Sequence, residues 1–151
     1  VHAFNQWMYD TIRPHCSGKI LEIGSGIGNI SAYFLKDAHP ILLSDIRENY
    51  CAKLSARFGG TPGMLGVEQM DITDPAFDQK FARYFDSFDT IFALNVVEHI
   101  YDDRLALKNC AKLLKKGGRM IVLVPAYQAL YNALDAALEH YRRYTKSFLL
   151  A

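Results

Sequence analysis

No excess of charge of either sign marks this chain. Its 17 lysines and arginines stand against 16 aspartates and glutamates, a formal net charge of +1 over 151 residues. That balance gives no electrostatic footprint for nucleic acid or for an anionic membrane surface. No apolar run reaches the about 18 to 20 residues that a bilayer-crossing helix needs. Cysteine is scarce. Cys16, Cys51 and Cys110 are odd in number, far apart and in no C-x-x-C pair. This suggests neither a disulfide framework nor a zinc site, and a reducing, cytoplasmic setting is the simpler expectation. The first residues lack the basic-then-apolar pattern of a secretory signal. Internal repeats, linkers and low-complexity stretches are absent too.

What is present is an ordinary globular composition, half hydrophobic and 22% charged, of a length that suits one domain. The sequence begins at Val1 and stops just after Thr145–Leu150, which reads as a helix start behind a capping hydroxyl. The expectation is one domain over residues 1–151, incomplete at both ends.

Strand-like apolar runs alternate with helix-like segments. Ile20–Ile23 leads into a glycine-rich turn, and Gly28–Lys36 then reads as helix. Ile41–Ser44 is a second strand ending at Asp45. Tyr50, Leu54 and Phe58 mark one helix face at i, i+4 and i+8. Gly59–Gly63 breaks that helix. Met64–Met70 is a weaker third strand ending at Asp71. Asp74-Pro75 opens a helix striped by Phe77, Phe81 and Phe85. Phe88–Leu94 is a fourth strand. Asp102 and Asp103 suit the start of a helix with Ala106, Cys110 and Leu113 inward, closed by Lys115-Lys116-Gly117-Gly118. Met120–Val124 is a fifth strand, stopped by Pro125, and Leu130, Leu134 and Leu138 recur at helical spacing. Upstream, Phe4, Trp7, Met8 and Ile12 fit a short amphipathic helix. This alternation predicts an α/β fold, doubly wound around a mostly parallel sheet.

The turn Leu21-Glu22-Ile23-Gly24-Ser25-Gly26-Ile27-Gly28-Asn29 is the most informative segment. Alternate glycines allow a tight bend and clear side chains from a ligand's path. The helix that follows offers free N–H groups. In a doubly wound sheet this turn lies at the carboxyl ends of the strands, where such folds bind ligands, so a nucleoside-containing ligand is the first expectation. Asp45 stands 45 − 26 = 19 residues past the middle glycine. An acid at that spacing can accept from both ribose hydroxyls, and it can equally cap the helix beginning near Arg47. Ile46 beside it could lie against a purine face. Asp71, followed by Ile72, repeats the arrangement and could accept from an exocyclic amino group, or serve as a turn residue before Asp74-Pro75.

These segments, with F-D-T-I-F-A-L-N-V-V-E-H-I on strand four and Lys115–Arg119 before the fifth strand, resemble the class I S-adenosylmethionine-dependent methyltransferases over about Ile20 to Val124. The resemblance implies a Rossmann-like sheet whose last strands are missing here. It also implies S-adenosyl-L-methionine as cofactor. Glu22, Gly24, Ser25, Gly26 and Gly28 would line its methionine portion. Asp45 would hold the ribose, Ile46 and Ile72 would sandwich adenine, and Asp71 would bind its amino group. Asn95 and Val96 would close the pocket near the sulfonium.

Glu98 and His99, just beyond strand four, are the nearest catalytic candidates, His99 because it titrates near neutral pH; the pair could also merely cap a loop. No carboxylate–histidine cluster at helical spacing suggests a metal. In the cluster His140, Tyr141, Arg142, Arg143 and Tyr144, two guanidinium groups beside aromatic rings could fix an acceptor's anionic group, with Tyr127 and Tyr131 nearby. A solvated helix end explains the same residues. The acceptor expected is a small molecule or a lipid-linked compound. A non-catalytic S-adenosylmethionine-binding domain and a nicotinamide-dependent oxidoreductase are the competing readings. The latter usually has G-x-G-x-x-G in this turn. If strand five is the last, its edge is bare and self-association through it is expected.

Overall fold

Apolar runs flanked on both sides by helices have one stable arrangement, a parallel sheet buried on both faces. The structure, a computed structural model, describes residues 2–94, 96, 100–123, 141–146 and 149, and for 141–144 the backbone alone. Five parallel strands form as β1 (Ile20–Ile23), β2 (Ile41–Asp45), β3 (Met64–Gln69), β4 (Phe88–Leu94) and β5 (Leu114–Leu123). A sixth, β6 (Tyr141–Thr145), runs antiparallel to β5. The order is β3-β2-β1-β4-β5-β6. The helices are α1 (His2–Ile12), α2 (Ser31–Lys36), α3 (Glu48–Phe58), α4 (Phe77–Phe81) and α5 (Asp103–Leu113).

Although the strands read as continuous apolar runs, alternate residues serve different cores. Leu21, Ile23, Leu42, Ile91, Ala93, Met120 and Val122 pack with residues of α4 and α5. Ile20, Ile41, Leu43, Phe92, Leu94, Ile121 and Leu123 pack with α1, α2 and α3. The Phe34 ring stacks on Phe92 at 5.1 Å, and Tyr9 meets Phe34 edge-on at 4.9 Å. These contacts pin α2 to β4 and α1 over α2. The chain builds outward from β1 to β3, then returns to β4 on the other side of β1. The crevice at that reversal is where such sheets accept ligands.

Four local expectations change. The helix expected from Gly28 starts at Ser31, because the turn continues through a left-handed Gly28. Pro75 does not open a helix. Asp74 accepts from Ala76 N at 2.8 Å, and α4 begins at Phe77, followed by a 3-10 turn over Ala82–Tyr84. Lys115–Gly118 do not cap α5. They bulge from the start of β5, where Phe88 pairs with Leu114 but Thr90 pairs with Arg119. Finally, the edge of β5 is not bare. Residues Tyr141–Thr145, which the charge pattern suggested as a helix end, pair along Arg119–Leu123. The physical basis for self-association through that edge is therefore gone.

Candidate functional site

The ends of β1 and β2 are stitched together by their own polar groups. Ser25 N donates to Ser44 O at 2.7 Å, Ser44 N to Ser25 Oγ at 3.2 Å, and Ser44 Oγ to Glu22 O at 2.6 Å. Asp45 completes the clamp. Its Oδ2 accepts from Gly26 N and its Oδ1 from Arg47 N, each at 2.9 Å. Asp45 thus joins the glycine turn to Arg47, the residue before α3.

Two glycines are required by their surroundings. Gly24 (φ +71°) carries no Cβ where one would stand 2.4 Å from Val96 Cγ2. Gly28 (φ +89°) would set a Cβ 2.4 Å from Phe58 Cε2. Gly28→Ala combines left-handed strain with overpacking, and should destabilise the fold by about 2 kcal/mol in urea unfolding. An unchanged midpoint would show both that Phe58 yields freely and that the backbone at 28 leaves the left-handed region at no cost.

Two cavities flank the turn. One, of about 340 Å³, is lined by Asn5, Met8, Glu22, Gly24, Ser25, Gly26, Asn29 and Tyr50 among others. The other, of about 740 Å³, is lined by Gly24, Asp45, Ile46, Asp71, Ile72, Val96, Tyr101 and Leu105 among others. They meet at Gly24, Tyr50 and Leu94. Gly28 borders neither and lies buried beneath the turn. Glu22 faces the smaller cavity while only 3% exposed, and its Oε1 accepts from the Ser31 hydroxyl. Burial raises its pKa from 4.5 to about 7, against the lowering effect of the Ser31 and Ser25 bonds.

In the larger cavity, Ile46 is 56% exposed, whereas Ile72 is buried and its carbonyl accepts from Asn109 Nδ2 at 2.8 Å. Asp71 Oδ1 accepts from both the N–H and hydroxyl of Thr73, at 2.9 Å each. Its Oδ2 makes no hydrogen bond among the described residues.

Asn95, Glu98, His99, Tyr127, Tyr131 and His140 lie outside the described residues. Arg142 and Arg143 belong to β6, paired with Val122 and Ile121. Sequence reasoning missed Asn5 and Met8, brought to the turn by α1. It also missed Tyr101, wholly exposed on the rim of the larger cavity. Tyr50 was expected on the buried stripe of α3. Only Leu54 and Phe58 are buried there, and Tyr50 stands at the junction of the cavities with Arg47 Nη1 3.3 Å from its hydroxyl.

A glycine turn at the end of β1, hydrogen-bonded to an acid at the end of β2 and lying beside the sheet's reversal point, marks a Rossmann-like fold of the kind that binds nucleosides. The chain belongs to the methyltransferase domain family, which matches residues 21–120, in its class I S-adenosylmethionine-dependent form. Over 114 residues it is 31% identical to a polyketide synthase-nonribosomal peptide synthetase of Aspergillus clavatus, covering 73% of this chain and 3% of that protein. Over 126 residues it is 25% identical to the ubiquinone biosynthesis O-methyltransferase of Erwinia tasmaniensis, covering 80% of this chain and 49% of that one. The solved trans-methyltransferase CalH, in complex with SAH, shares the fold with a TM-score of 0.64 at 21% identity, covering 85% of this chain and 41% of that chain. The chain thus spans half or less of the length of these relatives.

Proposed function

We propose that this chain binds S-adenosylmethionine across the two joined cavities and methylates a small-molecule or lipid-linked acceptor in a cytoplasmic setting. The observation that carries this reading is the fit of donor set to ligand. A buried carboxyl, Glu22, faces the smaller cavity, while an acid and two isoleucines, Asp45, Ile46 and Ile72, line the larger. In this reading Glu22, Gly24, Ser25 and Gly26 receive the methionine portion. Asp45 accepts from the ribose hydroxyls with the lone pairs that Gly26 and Arg47 leave free. Ile46 and Ile72 flank adenine, Asp71 Oδ2 accepts from its amino group, and Asn95 and Val96 border the sulfonium. The bound SAH of CalH supports the choice of ligand. The three free cysteines accord with a reducing compartment, and no described helix is long and apolar enough to cross a membrane.

Bound there, S-adenosylmethionine supplies a methyl group already activated for in-line displacement. The chain's share is therefore chiefly orientation and exclusion of water. A base is needed only for an acceptor that arrives protonated, and His99, with Glu98 beside it, is the candidate. Incubation with methyl-labelled S-adenosylmethionine and a panel of phenolic and lipid-linked acceptors should place label on one of them. Tight cofactor binding with label on none would mark a binding domain without catalysis. Preference for a nicotinamide nucleotide would overturn the reading.

A further inference from the structure

A third cavity, of about 440 Å³, opens between α1, α2 and the last turn of α3. Lys36 and Arg57 line it with His2 beside them, and no carboxylate among the described residues contributes to it. In a chain of balanced charge, two cations around one hollow, with no acid among its described lining, form a local positive field. The other polar groups there, the Asn5 and Asn29 amides and the Tyr33 hydroxyl, can all donate hydrogen bonds. Lys36 has no ion pair among the described residues. Arg57 spends one N–H on Ile27 O at 2.8 Å, and its guanidinium carbon lies 4.7 Å from the Phe58 ring centre. The remaining fork is thus held in place with donors to spare. Asn5 and Asn29 also border the smaller cavity of the cleft, so the two hollows adjoin.

We propose that this cavity is an oxyanion site, separate from the cofactor cleft and beside it, which holds a phosphate or carboxylate group carried by the methyl acceptor. The site itself stands on its lining; its assignment to the acceptor rests on the methyltransferase reading. An anion anchored there fixes one end of the acceptor while the rest reaches the cleft past Asn5 and Asn29.

Inorganic phosphate and acetate are the probes, followed by amide NMR of this chain. The stronger of the two identifies the group preferred. Saturable shifts at Asn5, Asn29 and Tyr33, weakening with added salt, are expected. The double variant Lys36→Gln, Arg57→Gln should bind the stronger probe at least tenfold less tightly. Because Arg57 also braces Ile27, Lys36→Gln alone is the second variant and should weaken binding at least threefold, with its affinity for S-adenosylhomocysteine unchanged. Saturating S-adenosylhomocysteine should leave the probe's affinity within twofold. Shifts that do not saturate, equal binding by Lys36→Gln, or displacement by S-adenosylhomocysteine would overturn the proposal, the last by assigning these cations to the cofactor's own carboxylate. Failure of S-adenosylhomocysteine to bind while phosphate still saturates would instead remove the reading of the cleft and leave the oxyanion site standing.

Discussion

Replacing Asp45 by alanine is expected to weaken S-adenosylmethionine binding by roughly 10- to 150-fold in a calorimetric titration. That range corresponds to about 1.5 to 3 kcal/mol for the loss of a charged hydrogen-bond acceptor. Asp45 is only 6% exposed and already accepts from Gly26 N and Arg47 N, so the ribose would meet a carboxylate whose position is fixed in advance. The substitution also leaves those two N–H groups unpaired and should lower the melting temperature. A ribose-specific effect is separated from this loosening by comparing adenosine with 2′,3′-dideoxyadenosine. The wild type should prefer adenosine, and Asp45→Ala should lose the preference, as expected of a coupled pair. An equal preference in both proteins would place the ribose away from Asp45.

Glu22→Gln should raise stability at pH 8 by about 3 kcal/mol and leave it unchanged below pH 4.5. The buried carboxyl holds its proton up to about pH 7, whereas in the unfolded chain it releases it near 4.5. Below 4.5 both states are protonated and burial involves no charge. Between 4.5 and 7 the folded state keeps a proton that the unfolded state has lost, so wild-type stability falls as pH rises. Above 7 the charged group sits buried at its full penalty, the energy of that pKa difference. Glutamine keeps an oxygen for the Ser31 hydroxyl and has no charge to bury. Parallel urea melts of the two proteins across pH 4 to 8 measure this directly, and curves that stay parallel would show Glu22 to be better solvated than its burial implies. The same change should weaken cofactor binding, since a neutral amide cannot pair with the methionine ammonium. A stabilising substitution that damages binding identifies a group retained for its task rather than for the fold.

The sheet was legible because burial on both faces leaves few polar residues in β1, β2, β4 and the Met120–Leu123 end of β5. The spacing of Gly26 and Asp45 was equally plain, since it follows from the length of one β-α-β unit. The misread boundaries share another cause. At Gly28 and Gly117 a positive φ prolongs a turn or opens a bulge, and composition there does not reveal on which side of a glycine the regular element resumes. Gly66, also at positive φ, lies where β3 slips register and leaves Leu65 exposed. The missed wall of the site has a third origin. Asn5 and Met8 reach the turn only because Tyr9 and Phe34 dock α1 onto α2, a contact between residues 25 positions apart. Tyr50 has the periodicity of a core residue, and only its place on the first turn of α3, beside the crevice, gives it a different surrounding.

The most direct test is what occupies the joined hollow that flanks the glycine turn. A crystal structure with S-adenosylhomocysteine should show the ribose against Asp45, adenine between Ile46 and Ile72, and the amino-acid end beside Glu22. Density for the ligand elsewhere on the molecule, with this hollow left vacant, would contradict the cofactor assignment.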